Sequence, residues 1–252
     1  MTMLEVTDFF KKFKSTITRW YQTDLQVNYG FDFVERFSHE LRTSLTGVVG
    51  YVEFIEQNAN EPMINFASRV IHESGISSMR AASAYFDLTR LISGNMACNV
   101  SNFSVFEMLV NAVHQHQAYA HEMGITLLTS ASPELSALII KSDSFRLHQL
   151  LDILIYAHIT RCVRGSFVHI ELTINDQQSE FHLNLRVNQN PQTNHEMFLR
   201  SNFWLKRDYQ FELQEGPGVE LAYGKELIYF LRGQVAFSSA QDLQFLVIKL
   251  PI

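Results

Sequence analysis

Apolar side chains fall at Phe33, Phe37, Leu41, Leu45, Val48, Val52 and Ile55, at intervals of four, four, four, three, four and three. On an α-helix that rhythm draws one seam close to the heptad period, the pattern of a bundle helix. The run NANEP at 58–62 reads as a turn, and Pro62 suits the first turn of the helix that follows. Residues 63–93 are again helical in pattern, and Ser93-Gly94-Asn95 stops them. Two long helices joined by a short turn make an antiparallel hairpin. Each seam needs more apolar surface than the other helix offers. A second copy would complete a four-helix bundle, so the expectation is a homodimer.

Residues 1–30 read as a separate N-terminal helical segment, with Phe9, Phe10, Phe13, Ile17, Trp20 and Tyr21 bunched at helical spacing. Lys11, Lys12 and Lys14 are too few to favour a membrane surface over a core or dimer contact. The hairpin takes residues 31–96, and the pattern then changes. Residues 105–121, 143–162 and 218–231 are helical in pattern, while 124–130, 137–142, 167–174, 181–187, QVAFSS and QFLVIKLPI read as strands. Residues 97–252 are therefore expected to form a two-layer α/β sandwich with helices on one face of a mixed sheet.

Hydrophobic residues make up 46% of the 252 and charged residues 18%, enough apolar material for a core in each part. A net charge of -6, with no long basic run, argues against a nucleic-acid partner. Cys98 and Cys162 are too few and too far apart for a cysteine-built zinc site or a disulfide framework. No apolar stretch is long enough for a membrane span and the first residues lack signal-peptide order. The expectation is a cytoplasmic protein with no metal site of its own.

The run FSHELRTSLTGVVGYVEF at 37–54 carries the chemistry. His39 stands two positions after Phe37, so it points about 200° away from the seam, into solvent. Arg42 and Thr43 follow at i+3 and i+4, on the same face, and Glu40 is adjacent. Gly47 and Gly50 lie one to three turns on, where each costs about 1 kcal/mol relative to Ala. A neutral imidazole near pH 7 is a nucleophile, and a neighbouring carboxylate can take its proton during attack on phosphorus. By composition alone an ordinary exposed histidine is the simpler reading.

The run resembles the phospho-accepting box of bacterial two-component sensor histidine kinases, F-x-H-E-L-R-T-P-L. Seven of its eight defined positions agree, and Ser44 replaces the proline, which should straighten the helix. The resemblance extends over residues 31–252 and implies a dimerising hairpin followed by an α/β ATP-binding domain of the histidine-kinase (Bergerat) type. It implies His39 as phosphoryl acceptor, Glu40 as proton acceptor, Arg42 on the phosphoryl group or partner, and Thr43 positioning water for dephosphorylation.

The nucleotide half departs from that pattern. Residues 146–162 resemble the box L-x-Q-V-L-x-N-L-x-x-N-A-x-K-F, but Ile153 and Ala157 replace its asparagines and Thr160 its lysine. In the family the second asparagine supplies an oxygen to Mg²⁺, and neither Ile nor Ala has one. The next box, D-x-G-x-G, falls on Asn188, Asn190 and Gln192 with Pro191 between them. The third, G-x-G-x-G-L, keeps Gly216 and Gly218 and has Glu220 in place of the last glycine, where a carboxylate would repel a triphosphate. His158 reads as a core or surface residue.

These losses imply a histidine phosphotransfer protein on a kinase scaffold, exchanging phosphoryl groups between His39 and response-regulator receiver domains without ATP or any other cofactor. A sensor kinase with an atypical ATP site and a non-catalytic pseudokinase scaffold are the alternatives.

Overall fold

The computed structural model describes residues 30–57, 61–132, 135, 138–175, 177, 179–188, 218–240 and 243–252. The helix expected before residue 30, and Asn190, Pro191, Gln192 and Gly216, lie outside the described residues. The chain divides into two compact units, residues 1–89 with 208–220, and residues 90–207 with 221–252.

The helical unit contains α1 (Gly30–Gln57) and α2 (Glu61–Ile92). Phe37 is fully buried and stacks on Tyr85, with ring centroids 4.1 Å apart. At the other end Tyr51 meets Phe66 edge-on at 5.8 Å, so the helices run antiparallel. Between these anchors a Cβ on Gly47 would stand 3.2 Å from Ser74 Oγ. The helices approach closely there, and that is the physical reason for a glycine inside α1. Helix α1 continues unbroken through Ser44. Within one chain the seam is only partly covered: Leu41, Leu45, Val48 and Ile55 are half-buried and Val52 is 40% exposed. On α2, Phe66, Met79 and Phe86 are also exposed.

In the α/β unit the elements are β1 (Val100–Ser104), α3 (Val105–Met123), β2 (Thr126–Ala131), β3 (Ile139–Asp143), α4 (Ser144–Arg161), β4 (Phe167–Ile174), β5 (Glu180–Asn188), α5 (Val219–Phe230), β6 (Gln234–Ala240) and β7 (Leu243–Pro251). The first two residues of α5 fall with the helical unit. The main sheet has the order β2-β4-β5-β7-β6, with β2 parallel to β4 and the other pairs antiparallel. Alternation on its three middle strands is clean. Val168, Ile170 and Leu172, then Phe181, Leu183, Leu185 and Val187, then Leu246, Ile248 and Leu250 are each at most 3% exposed. With Leu109, Leu147, Leu150, Leu154, Leu227 and Ile228 from the helices they make the core of this unit. Burying one such side chain stabilises by about 1.5–3 kcal/mol.

The single mixed sheet expected from the sequence needs correction. Strand β1 was not expected, and it pairs antiparallel with β3 in a separate two-stranded sheet. VSNFS carries little alternating apolar signal; its strand form comes from the ladder with β3, whose Asp143 also accepts the Asn99 amide at 2.8 Å. Capping sets the helix limits. Ser104 accepts the Glu107 amide at the start of α3, and Gly124 ends it in the left-handed region at φ 71°. Buried Asp143 caps α4 by accepting the Arg146 amide at 3.0 Å.

Candidate functional site: an exposed histidine and a packed helix stripe

Stacking of Phe37 on Tyr85 fixes the rotation of α1, and His39 consequently faces solvent. Arg42 and Thr43 are exposed with it and Glu40 is half-buried, so the four side chains occupy one stretch of the helix surface. The Thr43 hydroxyl donates to the His39 carbonyl at 2.9 Å. A hydroxyl bonded to the preceding turn has its proton engaged but keeps a lone pair for an outside donor. Glu40 Oε2 accepts the Val219 amide at 3.5 Å, a long contact. Arg80 Nε stands 3.3 Å from both carboxylate oxygens of Glu220.

The two costly glycines of α1 differ in their surroundings: Gly47 faces Ser74 of α2, and Gly50 opens onto free space. The role of Arg80 was missed. It lies 140 residues from Glu220, and no local pattern joins them.

Helix α4 presents Gln149, Ile153 and Ala157 along one stripe. Ile153 is 6% and Ala157 3% exposed, so both are packed rather than lining an open cleft. A Cβ on Gly224 of α5 would lie 3.1 Å from Ile153 Cγ2 and 3.9 Å from Leu150 Cδ1. The glycine lets α5 approach α4 at the isoleucine. A glycine in the middle of α5 was the sequence signal for this approach, and it went unread. Gln149 is used internally: its Oε1 accepts from Arg146 Nη1 at 2.7 Å and from buried Tyr223 OH at 2.9 Å. Thr160, where the resembled box has lysine, donates its hydroxyl to the Tyr156 carbonyl at 3.0 Å. His158 is a core residue, 1% exposed, with Nδ1 donating to the Leu154 carbonyl at 2.6 Å. Lys225 is buried as well.

A magnesium-bound nucleotide needs hard oxygen ligands and an open, polar face. Ile153 and Ala157 offer neither, so the residues present do not fit the group that this fold ordinarily holds. Asn188 ends β5 opposite Leu243, and Gly218 precedes α5 with φ +89°. Among the described residues no cluster of three or more His, Cys, Asp or Glu side chains could hold a metal ion. No described helix is long and apolar enough to cross a membrane.

No family model matches the chain. It is 27% identical over 221 residues, 82% of its length, to the sensor protein DivL of Caulobacter vibrioides. The chain spans about a quarter of the length of DivL and of the autoinducer 2 sensor kinase/phosphatase LuxQ of Vibrio cholerae, and 4–12% of the other curated relatives it matches. The Acinetobacter baumannii histidine kinase AdeS has the same fold, with a TM-score of 0.59 at 15% identity over 84% of this chain and 97% of that one. The histidine kinase ThkA, in its complex with the response regulator TrrA, gives 0.58 at 13% identity over 97% of this chain and 66% of that one. Sequence similarity to sensor proteins of this kind, with a helical hairpin bearing FSHELRTSL and an α/β domain of the same fold after it, supports a two-component histidine-kinase core.

Proposed function

We propose that the protein is a dimeric histidine phosphotransfer protein of a two-component relay, acting in the cytoplasm without ATP. The observation that carries this reading is a contrast: His39 faces solvent beside Glu40, while Ile153 and Ala157 are apolar and packed. His39 would attack the aspartyl phosphate of a receiver domain. The N–P bond forms as the aspartyl O–P bond breaks, Glu40 takes the imidazole proton, and the receiver's carboxylate is regenerated. The return step to a second receiver is the reverse. Arg42 offsets charge on the phosphoryl oxygens, and Thr43 can orient water where a receiver is to be dephosphorylated. The receiver brings its own metal, so this chain supplies position and a proton acceptor.

In this reading residues 31–96 are the dimerisation and phosphotransfer hairpin and residues 97–252 a former ATP-binding domain kept for its fold. Half-covered α1 and the exposed Val52, Phe66, Met79 and Phe86 are apolar surface that a second copy would bury. A receiver partner agrees with the ThkA–TrrA complex, a histidine kinase bound to a response regulator. The kinase reading draws on the relatives, three of them named as histidine kinases. Two incubations separate the readings: labelled ATP–Mg²⁺, and a panel of phosphorylated receivers. Label reaching His39 from a receiver and not from ATP supports phosphotransfer. Label from ATP makes the protein a kinase. A receiver that binds equally well to His39→Gln, with no label on wild type, makes it a scaffold.

A further inference from the structure

Residues Gly218–Glu220 group with the helical unit. Two contacts tie them to the hairpin. The Arg80 guanidinium is 3.3 Å from Glu220, and the two side chains are 21% and 20% exposed, so solvent screens this pair only in part. The Glu40 carboxylate accepts the Val219 amide through Oε2, and its Oε1 lies 3.7 Å from where a Cβ would stand on Gly218. Val219 is the first residue of α5. An amide in the first turn of a helix carries partial positive charge and favours a carboxylate anion beside it. Held there, Glu40 has its Oε2 engaged by Val219 instead of turned to the imidazole proton of its neighbour His39. Glu220 is ill suited to bind phosphate, but as the partner of Arg80 it has a use.

We propose that the Arg80–Glu220 ion pair is a latch. It keeps residues 218–220 against Glu40 and so restrains phosphoryl transfer at His39 until the pair opens, an inference that rests on the phosphotransfer reading above. Opening the pair lets the Val219 amide leave Glu40, and the carboxylate becomes available to take the proton released as the N–P bond forms.

The test compares the full chain with Arg80→Ala, Glu220→Ala and the charge swap Arg80→Glu/Glu220→Arg. Amide hydrogen exchange over residues 218–222 reports the contact, and the initial rate of label transfer from a phosphorylated receiver reports the restraint. Both single variants should exchange faster and take label about two- to fivefold faster, the scale of a partly exposed ion pair. The swap should return both readouts toward wild type. Unchanged exchange in both single variants overturns the latch, whatever the transfer rates. Faster exchange with unchanged or slower transfer overturns its role as a restraint. Label on no protein, wild type included, despite faster exchange in the single variants, overturns the phosphotransfer reading and the restraint built on it.

Discussion

Restoring the asparagine that the ATP-binding pattern calls for should damage this protein without giving it a nucleotide site. Ile153 is 6% exposed and faces Gly224 at close range. Ile153→Asn removes most of one buried side chain's transfer free energy, about 1.5–3 kcal/mol. It also places an amide among Leu150 and the α5 backbone, and an unsatisfied buried amide costs about 1–3 kcal/mol. The sum is about 2.5–6 kcal/mol, which at roughly 2–4 °C per kcal/mol for a chain this size lowers Tm by about 5–24 °C. Thermal unfolding followed by circular dichroism, with and without ATP–Mg²⁺, measures both expectations. Nucleotide present at a hundred times its Kd would add about 2.7 kcal/mol and raise Tm by several degrees. The expected result is a large fall in Tm and no nucleotide response, for this variant and for Ile153→Asn/Ala157→Asn. An Ile153→Asn protein as stable as wild type, or one stabilised by ATP–Mg²⁺, would refute the argument that this face is closed by packing.

Gly224→Ala should lower stability by about 1 kcal/mol although alanine is the better helix former, because its Cβ crowds Ile153; chemical denaturation checks the sign. Leu45→Asp should convert a dimer to a 29 kDa monomer in light scattering, since it puts an unpaired charge into the seam. A monomeric wild type at micromolar concentration would end the dimer proposal. His39→Gln should unfold at the wild-type temperature within a degree or two, because the side chain is exposed, yet take no label from a phosphorylated receiver. Burial pushes the Cys162 thiol up to about 12, so the native protein treated with iodoacetamide at pH 8 should be alkylated at exposed Cys98 and spared at Cys162.

Much of the fold was legible because long, regular signals carried it. The strict alternation from Phe181 to Val187 reports a buried face directly, and the four-and-three spacing from Phe37 to Ile55 reports a helix with one apolar side, buried at Phe37 and half-covered beyond it. The departure of β3 from the main sheet was not legible. Strand β1 has no alternation of its own, and its partner is chosen by a ladder across about forty residues of chain. At the candidate site the exposure of His39 followed from its offset to Phe37. The purpose of Gly47 did not, because a glycine looks the same whether it admits a helix of its own chain or a partner's. Glu220 read as a defect in a phosphate loop until Arg80 was seen opposite it. Such a pairing depends on tertiary placement, for which neither residue carries a local signature.

Strand β7, the last in chain order, lies inside the sheet, between β5 and β6. Its ladder with β5 runs from Glu180↔Pro251 to Asn188↔Leu243, contacts separated by many tens of residues. Only three residues separate α1 from α2, so the hairpin can zip up from its facing ends. Loop-closure entropy must be met before distant strands reward each other, so the two units should mature on different schedules. During synthesis the hairpin can collapse early, while the β5 apolar row Phe181, Leu183, Leu185 and Val187 waits for Leu246, Ile248 and Leu250 to emerge. In that interval the free edge of β5 is the stretch most open to capture by another strand, and the moment at which a chaperone would matter most.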